Sequence, residues 1–406
     1  MLPWLRFLPQ SCCDAQDYLA LGSRCAQGAC YDPLRPMGGS LWFSLPYRLG
    51  LPPESLILAH LILLLVSSVL LSLVVFRLSA RSLSQSRFSR KWMRGAFFLA
   101  ILALITFAQW VLFRPVMFNS LTDAPAGLFI LIAISLLLLH KGRRSWLSLG
   151  IAGALLGLAV WMRAMYLYPV VIVVAVFLVL WVKNRSRRLG ELTFIAALIP
   201  ILLQFGATYH VYGDVSFIAR EWTAWNLRAH VGSAVMGVDS LLPNSVLPGR
   251  FYVWPSSCGV ENGLLGAWER KDVAGAICLI ADKVRFYLGS YSPRAYTYIG
   301  DETQQGDIPK DKIRVWSNGL LALNALATVG AAWFFVRKRR ILGVGGFITM
   351  LLSALIFGQG LLTLPEQRFV VVFHVVTWVA FLTSILVLLA ESRAIKAMSK
   401  RWFAGH

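Results

Sequence analysis

Long apolar runs, each closed by a short cluster of charge, dominate the pattern along this chain. Leu56–Val75, Phe97–Phe113 and Phe369–Leu389 are almost free of charge, and as helices they are long enough to cross a hydrocarbon layer of about 30 Å. The apolar residues come in blocks, without the alternation or the 3.6-residue repeat of a one-sided soluble element. Spans are predicted near 55–76, 95–113, 125–139, 146–162, 165–182, 190–209, 317–336, 341–362 and 369–390. The predicted fold is therefore an all-α polytopic membrane protein with about nine transmembrane helices.

The same pattern divides the chain. Residues 1–54 form a polar segment containing Pro and Gly, and 55–209 hold six spans on short connections. Residues 210–316 make a loop of about a hundred residues, and 317–406 hold three closing spans and a tail. A loop of that length without Gly/Ser low complexity is usually functional. It carries a predicted amphipathic helix near 263–288 and an aromatic stretch from Tyr287 to Tyr298. Such a stretch suits either a cover at the membrane interface or a sugar-binding surface.

Composition changes this picture little. Only 14% of the residues are charged, against about 25% in ordinary soluble domains. The net charge of +20 raises the possibility of nucleic acid as a partner, but the placement of the charges argues against it. The segments 77–94, 141–144, 183–188, 337–340 and 391–401 hold 21 basic residues and one acid, Glu391, whereas 210–316 balances 11 Lys/Arg with 11 Asp/Glu. That asymmetry is the positive-inside signature of membrane topology. It predicts that the basic segments and the C-terminus are cytoplasmic, and that residues 1–54 and 210–316 lie on the other face. No short apolar segment with a small-residue cleavage site precedes the first span, so no removable leader is expected.

The cysteines follow the same division. Cys12, Cys13, Cys25, Cys30, Cys258 and Cys278 all fall in the two large non-cytoplasmic segments. An even count on one face suits disulfides in an oxidising compartment. Cys25–Cys30 and Cys258–Cys278 are plausible local pairs. A C-x4-C zinc half-site is the alternative, without a neighbouring His to complete it.

Polar groups at the outer ends of spans are the candidates for chemistry. Asp14, Asp17 and Tyr18 share a helical face by their spacing. Asp123, in Asn119–Ala126, opens the third span, where Ser120 or Thr122 is also placed to act as a simple N-cap. Arg163 interrupts two apolar runs on the side poor in basic residues, and Arg368 does the same with Glu366 close by. Interfacial snorkelling is the bland account of both arginines. His374, alone on an apolar helix, reads as a packed histidine. Carboxylates deprotonate hydroxyls or hold a divalent metal, the one cofactor this set allows, while arginines grip phosphate through two donors at once. A hydroxyl acceptor and a membrane-borne phosphate leaving group form the simplest substrate pair that uses all of them.

These residues also carry a family resemblance. The Asp14–Tyr18 element, the Leu121-Thr122-Asp123-Ala124-Pro125 run, the Gly157-Leu158-Ala159 turn leading to Arg163 and Pro169, and Pro365-Glu366-Gln367-Arg368-Phe369 stand in order. Together they resemble motifs of the GT-C superfamily of polyprenyl-phosphate-sugar-dependent glycosyltransferases, which includes protein O-mannosyltransferases and the aminoarabinose transferase of lipid A. The likeness covers most of residues 10–210 and 360–390 and leaves the long loop unrecognised. It implies an inverting transfer at the periplasmic face of a bacterial inner membrane. The donor is a polyprenyl-phosphate-linked sugar, and the acceptor a lipid, a glycan or an exported protein such as a pilin. In that scheme Asp14 is the base or acceptor-orienting carboxylate, Asp123 the second acid and Asp17 a reserve. Arg163 and Arg368 hold the lipid phosphate, with Tyr18 and Glu366 positioning donor or acceptor. Members of the family usually place a membrane helix ahead of the first acidic motif. Only Met1–Cys13 precede Asp14 here, so either translation starts further upstream or residues 1–54 cross as a tail.

Three other classes compete. A transporter or flippase for a lipid-linked sugar predicts charged residues lining the bundle and two related halves, and neither is evident. A polysaccharide polymerase or ligase also has a large periplasmic loop, and His210 and His230 lie in this one. The remaining class is a non-enzymatic membrane scaffold.

Overall fold

A computed structural model describes residues 14–33, 35–83, 91–118, 122–140, 146–183, 194–220, 258, 263–289, 310–362 and 371–391. Arg368, Glu366, Cys12, Cys13, His230 and most of the aromatic stretch after Tyr287 lie outside the described residues. Every regular element among the described residues is helical: α1 (Asp14–Ala26), α2 (Met37–Arg48), α3 (Ser55–Leu83), α4 (Lys91–Phe118), α5 (Asp123–Leu139), α6 (Trp146–Met162), a 3-10 turn (Ala164–Tyr166), α7 (Leu167–Lys183), α8 (Leu198–Tyr212), α9 (Gly263–Glu269), α10 (Val273–Gly289), α11 (Lys310–Arg337), α12 (Arg339–Leu362) and α13 (Val371–Glu391).

Among the described residues, six stretches are long and apolar enough to cross a membrane: Ser55–Ser79, Arg94–Phe113, Ala164–Lys183, Phe194–Tyr212, Ile341–Leu362 and Val371–Leu388. These residues are all-helical in their regular structure and suit a protein with several membrane crossings. Three further expected spans are shorter apolar helices, Asp123–Leu139, Trp146–Met162 and Leu321–Arg337. At 1.5 Å per residue the first two rise only about 25 Å, against about 30 Å of hydrocarbon, whereas Leu321–Arg337 is the apolar part of the 28-residue α11. For α5 the reason is its position. Of its 17 residues, Asp123–Ser135 and Leu137 are all buried, which is the behaviour of a helix apolar on every side. It packs against α3, α4, α6, α12 and α13, so its ends need not reach the lipid headgroups.

The N-terminal segment, polar in sequence, folds as a helical hairpin. α1 and α2 pack on each other, and α2 also rests on α6. Glycines allow this close approach. A Cβ at Gly22 would come within 2.4 Å of the Phe43 carbonyl oxygen, and one at Gly38 within 2.4 Å of that of Trp161. The Cys25–Cys30 disulfide closes the turn after α1, and Arg48 donates to the Cys25 carbonyl at 3.1 Å.

The amphipathic helix expected near 263–288 is two helices. α9 ends at Glu269 and α10 begins at Val273, with Lys271 at φ +57° between them. That left-handed residue breaks the backbone run that side-chain periodicity suggested. The Cys258–Cys278 disulfide ties residue 258 to α10. The inner face of α10 docks on the closing helices: Tyr287 donates its hydroxyl to the Gly360 carbonyl at 2.9 Å, and Asn324 donates to the Leu288 carbonyl at 2.6 Å. Trp378 in turn donates to the Asn324 side chain at 2.9 Å.

Candidate functional site

Asp123 is the first residue of α5, and its side chain is only 1% exposed. A carboxylate so removed from water needs a compensating charge. Arg163 supplies it, with Nε 3.1 Å from Asp123 Oδ1. The chain delivers Arg163 by breaking helix there: α6 stops at Met162, and Arg163 is extended at φ −144°, ψ 109° before the 3-10 turn. This break aims the guanidinium back across α6 toward α5. Fully buried Tyr166 lies within electrostatic reach of both charges.

The pair extends to the N-terminal hairpin through Tyr18. The Tyr18 hydroxyl accepts from Thr122 Oγ1 at 3.2 Å and from Arg163 Nη1 at 3.3 Å. Thr122 is therefore not the cap that its position before α5 suggested. It is helical at φ −64°, ψ −14°, makes no side-chain cap hydrogen bond, and gives its hydroxyl to Tyr18. Gly39 leaves room for the junction, since a Cβ there would meet Thr122 Cγ2 at 3.0 Å and Tyr18 Cε1 at 3.4 Å.

Asp14 begins α1, one helical turn ahead of Tyr18, which is about 6 Å along the helix axis. The first acidic element and the second thus meet at one end of the bundle. Asp17 behaves differently. Its carboxylate is 56% exposed and paired at 2.9 Å with Arg35, a residue sequence reasoning passed over. Arg35 also lies 3.9 Å from Asp32, and its guanidinium sits 5.0 Å from the centroid of the Tyr18 ring.

The elements flanking Glu366 and Arg368 are described although those two residues are not. α13 begins at Val371 and packs on α5 close to the site, where a Cβ on Gly127 would lie 3.3 Å from Val372. Gly127 is one turn below Asp123. On the other flank, Tyr287 of the long loop holds Gly360 in the last turn of α12. His374 is buried in α13 with its ring edge-on to Phe373, a packed position. His210 is exposed at the end of α8.

Among the described residues no group of three or more His, Cys, Asp or Glu gathers as a metal site. Compared with protein-family models, with curated proteins and with solved structures, the chain finds no match in any of the three. Arg35, Thr122 and Tyr166 are the site residues sequence reasoning missed. Only Thr122 carried a signal, as a hydroxyl beside a candidate acid.

Proposed function

We propose that this chain is a membrane glycosyltransferase of the GT-C kind, moving a sugar from a polyprenyl-phosphate donor to a hydroxyl on a lipid, a glycan or an exported protein. The observation that carries the reading is the buried Asp123–Arg163 ion pair, joined through Tyr18 to the helix that Asp14 begins. A buried acid and a guanidinium held together at one end of an apolar bundle, beside a helix that begins at a second acid, suit a reaction between a lipid-borne phosphate and a polar acceptor. In this reading the three shorter apolar helices also cross, giving nine spans. The basic connections and the C-terminus face the cytoplasm of a bacterial inner membrane, and the site faces the periplasm.

The acceptor oxygen attacks the anomeric carbon while the bond from that carbon to the phosphate oxygen breaks, and polyprenyl phosphate leaves with the electron pair. With Asp123 committed to Arg163, the acceptor proton passes to Asp14, and Asp123 orients the reacting groups. Arg163, joined by Arg368, steadies the charge that grows on the departing phosphate.

A flippase is less well supported. Among the described residues, the buried hydroxyls of Ser72, Ser135 and Thr377 bond back to carbonyls of their own helices, the usual habit of packed membrane helices. The test compares surface lipids, glycans and pili by mass spectrometry with and without the gene, and with Asp14→Asn and Asp123→Asn. A hexose or pentose increment that disappears in all three strains, at unchanged protein level in the membrane, supports transfer. Increments that persist with both acids changed reject it. Arg163→Ala is expected to weaken use of the donor more than use of the acceptor.

A further inference from the structure

We infer that Arg35 is a positioning residue of this site, holding the Tyr18 ring so that its hydroxyl keeps Thr122, Arg163 and the head of α1 at one spacing. The inference rests on the glycosyltransferase reading for its kinetic consequence, though not for its geometry.

From the turn between α1 and α2, Arg35 meets three groups among the described residues, Asp17, Asp32 and the Tyr18 ring. Its contact with Asp17 is the shortest, but Asp17 is 56% exposed, and ion pairs with so exposed a partner contribute little. The other two contacts are less open to water. Asp32 is 10% exposed and lies 3.9 Å away, while Tyr18 is 3% exposed, so the contact with the Tyr18 ring is the best shielded of the three. Tyr18 is held through its ring: Arg35 lies over it at 5.0 Å, and Phe43 stacks on it at 5.4 Å with the planes 20° apart. A planar cation suits that task, since a guanidinium stacks on an aromatic face while its edge still reaches two carboxylates. Gripping the ring leaves the hydroxyl committed to Thr122 and Arg163.

The turn that carries Arg35 is itself fixed from the far side. Met37 donates its backbone N–H to Gln204 Oε1 at 2.9 Å, and Ala219 donates to the Pro33 carbonyl at 3.2 Å. Gln204 also donates to the Phe217 carbonyl at 3.1 Å. The turn is thus pinned by α8 and by the first residues of the long loop. Arg35 passes that fixed position to Tyr18, and Tyr18 passes it to Arg163.

The test uses the full-length protein in nanodiscs, as wild type, Arg35→Ala, Arg35→Lys, Tyr18→Phe and the double variant Arg35→Ala/Tyr18→Phe. Release of undecaprenyl phosphate is followed from two synthetic donors, undecaprenyl phosphoryl-hexose and undecaprenyl phosphoryl-pentose, with envelope extract as acceptor. Arg35→Ala is expected to lower kcat at least about tenfold, equivalent to ~1.4 kcal/mol of barrier, with donor KM held. Arg35→Lys, which keeps the charge and loses the planar fork, recovers only a minor part. The double variant is no slower than Tyr18→Phe alone, because Arg35 acts through the hydroxyl that Tyr18→Phe already removes. A donor KM that rises while kcat holds would make Arg35 a direct phosphate ligand and overturn the proposal, as would losses that multiply in the double variant. Backbone hydrogen exchange across α1 gives a readout independent of activity. It is expected to speed up around Tyr18 in Arg35→Ala, and unchanged exchange also overturns the clamp. If wild type releases nothing from either donor while exchange responds, the transferase reading fails and the clamp stands.

Discussion

Replacing Arg163 by Met is the sharpest physical perturbation of the buried pair. Asp123 is 1% exposed and Arg163 14% exposed at 3.1 Å, so water cannot resolvate the carboxylate once the guanidinium is gone. Stranding one member of such a pair costs about 3–5 kcal/mol. The loss of a charged donor to the Tyr18 hydroxyl falls within that figure. Changing both members, Asp123→Asn with Arg163→Met, leaves no stranded charge and is expected to cost far less. The assay is the temperature at which the purified protein loses its monodisperse peak on size-exclusion chromatography. The expected order of stability is Arg163→Met below the double variant, with the double variant near wild type. A single variant as stable as wild type, or a double variant carrying the sum of the two single losses, would refute the claim that the pair is buried and mutually compensating.

Other outcomes follow from single features. Gly38→Ala places a Cβ 2.4 Å from a backbone oxygen of Trp161, whereas Gly206→Ala in α8 meets nothing within 4 Å. Gly38→Ala should therefore displace α2 and lower the thermal midpoint, while Gly206→Ala leaves stability unchanged or raises it by up to about 1 kcal/mol. Cys25→Ser/Cys30→Ser releases a short closed loop and should cost about 2 kcal/mol on the chain-entropy estimate; thiol alkylation before and after reduction counts the bond in wild type. Lys283 is fully buried in α10, and burial pushes its ammonium down to about 8. The unfolded chain, with an ordinary lysine near 10.4, then binds more protons than the folded one between those values, so stability rises with pH from about 8 to about 10.4. Lys283→Met should remove that slope, as read from thermal midpoints across the pH series.

The helices were readable because a membrane span announces itself by length and lack of charge. The convergence of α1, Asp123 and Arg163 was readable in part, since polar residues at the ends of apolar runs on the same side must lie near one plane. What joins them was not. Tyr18 meets Arg163 across 145 residues, a contact made possible by glycines at 22, 38 and 39 whose role appears only once the hairpin has docked. Arg35 looked like any arginine in a polar turn. Thr122 looked like a helix cap, and the tertiary partner Tyr18 took its hydroxyl instead. The division of the 263–289 region into two helices turned on the backbone of Lys271, which side-chain periodicity does not report.

The shortness of α5 sets the level at which Asp123 and its ion pair sit. Its far end is tied to α3 by Arg77, which donates to the Leu139 carbonyl at 3.1 Å. From that tie α3 climbs roughly 33 Å to Ser55 and α5 only about 24 Å to Asp123, so the acid stops well short of the end of α3. The α1–α2 hairpin meets the end of that short helix, with Tyr18 and Gly39 against Thr122, so a change in the hairpin is felt directly beside the acid.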